Sequence, residues 1–463
     1  MSVQARAFEP GPEIRTTGLK TLVINTIDGE EPVCESIEAP EGSWGVGIIN
    51  VNKVPGNVTV WNPDGSIAYE SGSYVKNESG MTIKVRGNTS ARYVKKPFKI
   101  KLEKKADLLG RGDKDFNDKN WVLLTARHNL YELGFLVGEW MEMPWSPAFE
   151  YVNVVINDDF RGVYVLAEAV ERNEKCRIVT DKTGFVVERD PYWWNENGEY
   201  LPSVWNPQFN WTMKYPDFED LTEDLTNYIS GVLNNFEQII STENYEDVID
   251  VDSFCKWLIA QDILGTSDGG GTNFYLARKD NTADSKLFVP VLWDVDSAEE
   301  TVDAWSAVHK EKHIAALFNN PNKNFRKRYI ELYRQFSPAV FKNIEELTAS
   351  LRSGEWDGYN EAARLNNEKW GNDAPQYASA KNAEDMDWWF PDRKEWLDNE
   401  VERLAGELEM GVVFPVEDDN IISVYTFDGL KIYTGEKDGF APSSPGIYLI
   451  HSASEVKKVI LRY

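Results

Sequence analysis

The spacing of apolar residues divides the chain into three parts. Before residue 190, apolar residues fall in short runs or alternate with polar ones, a pattern typical of strands. From Leu221 they recur roughly every three to four residues, which is the spacing of an amphipathic helix. Strand-like runs return after residue 410. The pattern predicts an α+β protein with a β-rich first part, a helical second part and a small all-β end.

Turn residues separate the individual elements. Pro63-Asp64-Gly65 and Asn157-Asp158-Asp159 are turn sequences between apolar runs, so each predicts a hairpin. Residues 1–17 hold two prolines and a glycine and are predicted to form a loose arm. Residues 58–67 are predicted to form one of these hairpins. The predicted strands are 18–26, 47–51, 81–86, 97–102, 151–156, 162–167, 185–188 and 288–293, and the predicted helical segments are 131–141, 225–236, 254–259, 325–336 and 344–351.

Length and charge limit the classes of protein to consider. A chain of 463 residues exceeds a typical single core, and we predict a main domain at 18–410 and a separate β domain at 411–463. The formal net charge of −27 disfavours nucleic acid as a partner, because phosphate contacts need a clustered basic surface. ATP stays open, since a divalent cation and a local basic pocket can offset the overall charge.

The cysteine and histidine residues give little indication of a functional site. Cys34, Cys176 and Cys255 are far apart and form no CxxC motif, so they predict neither a disulfide framework nor a zinc site. His309 and His313 share a helix face by spacing, but no acidic partner accompanies them in the sequence. No apolar run is long enough for a transmembrane helix. The first residues also lack the apolar core of a signal peptide.

The stretch 262–300 carries the strongest chemical signal. Asp268 is followed five positions later by Asn273, which is the spacing of the protein-kinase catalytic loop, although the HRD and DFG sequences are absent. A strand-like run then leads to Asp294 and Asp296, whose side chains point to the same face of an extended segment. Two like charges placed there repel unless a cation lies between them. These oxygen-bearing side chains suit a magnesium-dependent phosphoryl-transfer site.

A structural interpretation of the same residues stays open. Asp-Gly-Gly-Gly is a common turn sequence, and an aspartate at the end of a strand often caps a turn. The pair Asp294 and Asp296 favours the functional interpretation, since two like charges on one face repel unless a cation or another partner lies between them.

A set of motifs, taken together, resembles the CotH (spore coat protein H) family of atypical secreted protein kinases. The segments occur in the family's order over roughly residues 18 to 400, and the ordered set is more specific than any single motif. They are Arg86-Gly87-Asn88-Thr89-Ser90, residues 95–102 (KKPFKIKL), 120–124 (NWVLL), Gly162-Val163-Tyr164 with Glu168, 184–188 (GFVVE), Lys214-Tyr215-Pro216, Asp252-Ser253-Phe254, Tyr275, and Trp293-Asp294-Val295-Asp296.

The resemblance implies a two-lobed kinase-like core that uses ATP with Mg²⁺ or Mn²⁺. In that case Asp268 orients and deprotonates the acceptor hydroxyl, Asn273 and Asp294 hold the metal, and Asp296 supports it. The acceptor would be a protein, with a Ser-rich segment as the candidate. The family also implies a secreted or cell-surface location, with a signal peptide absent from this sequence.

Further residues are candidates for contact with the nucleotide. Strand periodicity places Lys99 and Lys101 on a solvated face, whereas the resemblance assigns one of them to phosphate. Glu168 could pair that lysine or stand exposed at a turn. The cofactor-binding candidates implied by the matching segments are Arg86, Asn88, Ser90, Lys99, Lys101, Glu168 and Glu188.

Two further segments have alternative interpretations. Trp193, Trp194, Trp205 and Trp211 lie in one loop-rich stretch, where they could stack on a sugar or an adenine, or anchor the loop to the body of the protein. Residues 411–463 resemble the C-terminal sorting-type domains of secreted Bacteroidetes proteins. A second hypothesis for the whole chain is a catalytically silent CotH-like module that binds a surface polysaccharide or a host protein.

Overall fold

The structure is a computed structural model of the chain. It describes residues 10–125, 130–195, 200–206, 208–267, 271–295, 302–353, 357–371, 380–408, 421–426, 431–437, 440, 446–451 and 456–461. Asp268 and Asp296 lie outside the described residues. The predicted loose arm is described from residue 10, and its last part is fixed: Thr17 is buried and accepts a hydrogen bond from Asn153 Nδ2 at 2.9 Å.

The first part of the chain forms a closed barrel. Its sheet has the order β1-β9-β10-β8-β7-β6-β4-β5, and β4 pairs back to β1, which closes the sheet on itself. β1 and β9 are parallel. β2 and β3 form a separate hairpin. The elements are α1 (Pro12–Arg15), β1 (Lys20–Thr26), β2 (Glu35–Glu38), β3 (Val46–Ile49), β4 (Val54–Trp61), β5 (Ile67–Glu70), β6 (Met81–Val85), β7 (Phe98–Ala106), β8 (Asp118–Leu124), α2 (Leu130–Trp140), β9 (Phe149–Ile156) and β10 (Asp159–Glu168).

Alternation along the barrel strands decides which side chains fill it. On β7, Phe98, Ile100 and Leu102 are buried inside the barrel, and the intervening Lys99 and Lys101 stand on its outer wall. Closure also removes the sheet edges that would otherwise expose unpaired backbone groups. The predicted strand pattern is confirmed here, and closure is the feature that periodicity did not predict.

A second sheet packs on the outer wall of the barrel. Its order is β14-β15-β13-β16-β17. One face of it, with Val186, Tyr275 and Ala277, joins Val122 and Val165 of the barrel wall in a shared apolar core. The elements of this part are β11 (Arg172–Asn173), β12 (Ile178–Val179), β13 (Phe185–Asp190), β14 (Tyr200–Leu201), β15 (Asn210–Tyr215), α3 (Glu223–Ile239), α4 (Val251–Leu264), β16 (Phe274–Arg278) and β17 (Leu287–Phe288).

Helices cover the other face of this second sheet. Phe185, Val187 and Leu276 pack there against buried residues of α3 and α4. The remaining helices are α5 (Lys312–Phe318), α6 (Asn324–Arg352), α7 (Asp357–Trp370) and α8 (Ala380–Glu407). Among the described helices, none has the length and apolar composition needed to cross a bilayer.

Two predicted boundaries are wrong. The helical segments 325–336 and 344–351 belong to the single helix α6, which continues through Pro338. Burial of Phe336, Val340 and Phe341 in the helical core offsets the cost of a proline inside a helix, about 3 kcal/mol. The predicted strand 288–293 is also too long: β17 ends at Phe288, and the chain to Trp293 is buried without ladder pairing.

The last described part forms a separate four-stranded sheet of order β19-β18-β20-β21. Its strands are β18 (Ile421–Thr426), β19 (Lys431–Glu436), β20 (Gly446–His451) and β21 (Val456–Leu461). Ile422 and Val424 are buried against Tyr433, Phe440 and Ile450. The domain boundary at 410/411 stays a prediction.

A buried lysine ties the loop that follows β6 to the helical part. Lys95 is fully buried, and its Nζ donates to Val163 O of β10 and, at 2.6 Å, to Asn366 Oδ1 of α7. The same nitrogen lies 4.3 Å from the centroid of the Tyr164 ring. Burial lowers the pKa of Lys95 well below its ordinary value.

We predict that this lysine gives unfolding a specific pH dependence. Between the lowered pKa in the folded state and the ordinary pKa near 10.5, the unfolded chain binds a proton that the folded chain lacks, so stability rises with pH through that window. Urea unfolding of the wild type and of Lys95→Met, from neutral pH to about pH 10, measures this. The wild type should gain stability relative to the variant as pH rises, and parallel curves would contradict the prediction.

Candidate active site

A cleft lies between the outer wall of the barrel and the edge of the second sheet. It encloses about 350 Å³, with β6, β7 and β8 on one side and the end of β15 on the other. Two acidic side chains, Glu171 and Asp217, line it. Six basic side chains do so as well, namely Lys53, Lys84, Lys99, Lys101, Arg172 and Lys214. A chain with a net charge of −27 therefore has a locally basic cleft suited to an anion.

Lys99 occupies the inner part of this cleft and Lys101 its outer part. Lys99 is half-buried, and its ammonium lies 2.8 Å from Glu171 Oε1. Glu171 Oε2 also accepts from Asn120 Nδ2 at 2.6 Å. Lys84 stands directly opposite Lys99 across β6 and β7, so the carboxylate offsets a repulsion between two neighbouring cations. Lys101 is exposed, in agreement with strand periodicity, whereas Lys99 is only partly exposed.

Glu168 has a different partner from the expected lysine. It is 1% exposed, and Glu168 Oε1 accepts from Arg111 Nη2 at 2.9 Å. Its other oxygen accepts from Trp145 Nε1 at 3.2 Å and from the Ala148 backbone N–H at 3.1 Å. The lysine of the cleft pairs with Glu171 instead. Glu171 carries no signal in the sequence, because β10 ends at Glu168 and strand periodicity gives no information beyond that residue.

Glu188 lies on the central strand of the second sheet and binds two neighbours. Its Oε2 is 2.7 Å from Lys214 Nζ of β15, and it accepts a hydrogen bond from the Tyr275 hydroxyl of β16. Burial and the charge of Glu188 raise the pKa of Tyr275 well above its ordinary value, so the hydroxyl keeps its proton. Glu188 therefore joins the basic cleft to the strand that begins after Asn273.

Arg86 lies on the barrel side of Tyr275 and acts on its hydroxyl through its charge. Its Cζ lies 5.9 Å from the centroid of the Trp293 ring, and its charge lowers the pKa of Tyr275 against the larger effects of burial and Glu188. Asn88 and Ser90 are half-buried in the loop that follows. Gly87 is needed there, because its φ is +79° and an added Cβ would lie 2.4 Å from Ser90 Oγ.

The metal-binding candidates Asn273 and Asp294 both have left-handed backbone conformations, with φ of 57° and 55°. Such angles are uncommon for residues other than glycine, though asparagine and aspartate tolerate them best. Asn273 Nδ2 lies 3.2 Å from Thr272 Oγ1, which orients the amide and leaves its oxygen as the atom for a cation. Asp294 is half-buried between the buried Trp293 and Val295.

The donor atoms of Asn273 and Asp294 suit a hard divalent cation. An amide oxygen and a carboxylate are ligands that Mg²⁺ and Mn²⁺ accept, and phosphate oxygens and water usually supply the rest. Among the described residues, no group of three or more His, Cys, Asp and Glu could hold a metal. The sequence adds Asp268 and Asp296, which stay predictions.

Helix α2 supports the segment that carries Asp294. An added Cβ at Gly134 would lie 2.0 Å from Val295 Cγ2, and one at Gly138 would lie 3.5 Å from Leu292 Cβ. The ring of Phe135 stacks near Trp293, with centroids 5.6 Å apart. Gly134 thus lets the helix approach the segment closely, whereas a Cβ at Gly138 would make ordinary contact with Leu292. The sequence signal was the pair of glycines inside a predicted helix, which normally weakens one.

A buried aspartate fixes the end of α4, the helix that leads to residue 268. Asp262 accepts from Tyr329 Oη at 2.8 Å and from the Ser306 N–H at 3.1 Å, and lies 2.9 Å from His309 Nε2. Burial alone would raise the pKa of Asp262, but His309, Arg393 and Tyr329 together lower it. The expectation that His309 and His313 share a helix face is wrong, because His309 lies in a 3-10 turn before α5 and only His313 lies on α5. The acidic partner of His309 is supplied by α4, which sequence spacing does not show.

The Trp-rich stretch is held to the body of the protein. Trp211 is buried, and its Nε1 donates to Glu237 Oε1 at 2.9 Å. Trp193 Nε1 donates to Gln208 O and Trp194 Nε1 to Trp44 O, both at 3.1 Å. These contacts agree with the anchoring interpretation of the loop. The carbohydrate contact stays a prediction.

We predict that Gly134→Ala disturbs the Asp294 segment. The new methyl must displace Val295, which should lower stability by about 1–3 kcal/mol. Gly231→Ala in α3 is the matched control: it meets nothing within 4 Å, so helix propensity should stabilise that variant by about 1 kcal/mol.

Urea unfolding of both variants, of Val295→Ala and of the double variant Gly134→Ala/Val295→Ala measures this. The double variant should lose less stability than the sum of its single variants, because Val295→Ala removes the clashing atom. Strict additivity would contradict the proposed contact.

The comparisons with known proteins agree with this geometry. No curated protein matches the chain. The model of the family described as CotH kinase protein matches residues 83–397. The match spans the outer wall of the barrel from β6, the second sheet, α4 and the segment with Asp294, and covers more than half of the chain. The chain therefore belongs to the CotH kinase family.

Proposed function

We propose that the protein binds ATP with Mg²⁺ or Mn²⁺ in the cleft and transfers its terminal phosphoryl group to Ser or Thr hydroxyls of a secreted or surface protein. The observation that carries this proposal is the connection between the basic cleft and the oxygen ligands. Lys214 lines the cleft and pairs with Glu188, Glu188 accepts from Tyr275, and Tyr275 lies two residues after Asn273.

The phosphates of the nucleotide would lie along the barrel wall. Of the two candidate lysines we assign Lys99, because it is half-buried, held by Glu171 and placed beside Lys84. Two adjacent cations gain most from an anion that neutralises both. Lys101, exposed at the outer part, would contribute mainly through the long-range field.

The chemistry needs a metal site and a base, and the chain offers residues for both. Asn273 and Asp294 would hold the cation, with Asp296 in support. When bound, the cation neutralises charge on the phosphate oxygens. Asp268 would accept the proton of the acceptor hydroxyl while the new O–P bond forms and the bond between the γ-phosphorus and the leaving oxygen of ADP breaks. Positioning supplies most of the rate enhancement in such reactions.

The C-terminal sheet and the family together support a location outside the cytoplasm. Residues 411–463 resemble sorting-type domains, and we propose that they direct export or surface attachment. A surface location also suits a protein acceptor with an accessible Ser-rich segment.

We predict that Asp294→Asn and Asp268→Asn fail in different ways. Loss of the Asp294 charge should weaken metal-dependent ATP binding, since charge is the main attraction of a divalent-cation site. Asp268→Asn should keep that binding and lower phosphate transfer by roughly 10²- to 10⁴-fold, because only the base is removed. Asp64→Asn in the β4–β5 turn is a control for the loss of a carboxylate.

The measurements are calorimetric titration of ATP with and without Mg²⁺ and transfer from radiolabelled ATP to a Ser-rich acceptor. Transfer at the wild-type rate by Asp268→Asn would overturn the assignment of the base. Equal ATP affinity with and without Mg²⁺ would remove the metal role. Absence of transfer by the wild type with every acceptor would favour the binding-module hypothesis.

A further inference from the structure

We propose that Lys214 closes the phosphate site from the side of the second sheet, opposite Lys99, and that Tyr275 positions Lys214 through Glu188. This inference rests on the proposed function, since it names a residue of the same nucleotide site. It assigns Lys214 to phosphate contact and gives Tyr275 and Glu188 positioning roles.

Lys214 belongs to a different layer from the other inner lysines. Lys84 and Lys99 stand on the barrel wall, whereas Lys214 is near the end of β15 in the second sheet, and all three line the same cavity. An anion between the two layers would contact cations from both sides. Lys214 is 26% exposed at its side chain, so it is accessible to a ligand and still held in place.

The position of Lys214 is set by a carboxylate that is itself held. Glu188 is 14% exposed and sits on β13 between β15 and β16, with Tyr275 directly opposite on β16. A carboxylate with one partner can rotate, but Glu188 binds both Lys214 and the Tyr275 hydroxyl. Tyr275 is 5% exposed, which fixes its ring. The three side chains form one chain of contacts across three strands.

Stability alone does not explain this arrangement. A partly exposed lysine–glutamate pair adds little to folding stability, because solvent screens it. A charge-assisted contact to an anion gains much more from a cation that is already oriented. Tyr275 is also two residues from Asn273, so the strand that starts after a metal ligand also orients the lysine.

The test is a double-mutant cycle on ligand binding. Isothermal titration calorimetry measures the affinity of Lys214→Met, Tyr275→Phe and the double variant for Mg·ATP and, separately, for inorganic tripolyphosphate. Lys214→Met should lower the affinity for both ligands by about 10-fold or more, which is the cost of losing one charge-assisted contact. Tyr275→Phe should lower both affinities by a few-fold. The double variant should bind like Lys214→Met, because Tyr275 acts only through Lys214.

Controls separate the local effect from charge and from folding. Lys104→Met removes the same charge from an exposed position on β7 and should leave binding nearly unchanged. Lys99→Met tests the opposite wall of the cleft and should lower the affinity for both ligands. Lys214→Gln keeps a polar side chain and serves if Lys214→Met fails to fold, as judged by thermal melting.

Each outcome has a defined meaning. If Lys214→Met binds both ligands as the wild type does and Lys99→Met binds them more weakly, the Lys214 assignment is overturned and the proposed function stands. A further loss from Tyr275→Phe in the Lys214→Met background overturns the positioning role. Binding of both ligands that depends on Lys214, without any transfer, supports the inference and contradicts the proposed kinase activity. A wild type that binds neither ligand overturns both.

Discussion

The packing of the barrel wall against the second sheet is the contact on which the candidate site depends. Val122 and Val165 of the barrel share one apolar core with Val186, Tyr275 and Ala277 of the sheet. Burial of this surface is non-directional, but strand register makes it specific, because a shift by one residue would turn every side chain to the opposite face. The same register that buries these residues places Lys99 and Lys214 on opposite walls of the cleft.

Electrostatics in the cleft depend on two carboxylates. Lys84 and Lys99 stand side by side on neighbouring strands and repel, and Glu171 pairs with Lys99. On the opposite wall, Glu188 pairs with Lys214. The cleft thereby stays basic enough for an anion without destabilising the fold. The chain has a net charge of −27, so its overall electrostatic field disfavours anions. A locally positive potential therefore has to be built from lysines that are held together by paired carboxylates.

The two segments that carry the candidate oxygen ligands depart from regular structure. Asn273 and Asp294 have positive φ, and the chain between β17 and Asp294 forms no ladder. Strain of this kind persists where the surroundings enforce it. Here the support comes from α2, through the close approach at Gly134, and from the Asp262 network at the end of α4. A rigid frame around an irregular segment is what a site with fixed ligand geometry needs.

The sequence by itself determined most of the strands, most of the helices and the order of the chemical residues, because these follow from local periodicity, turn residues and motif spacing. It offered Asn273 and Asp294 as metal ligands, a role that stays a prediction, and it placed Lys101 correctly on an exposed face. Only the tertiary structure decided barrel closure, the pairing of Lys99 with Glu171 instead of Glu168, the partner of His309, and the place of Lys214 opposite Lys99. Each of these depends on contacts between residues far apart in the chain, and local patterns carry no information about which distant carboxylate a buried cation will meet.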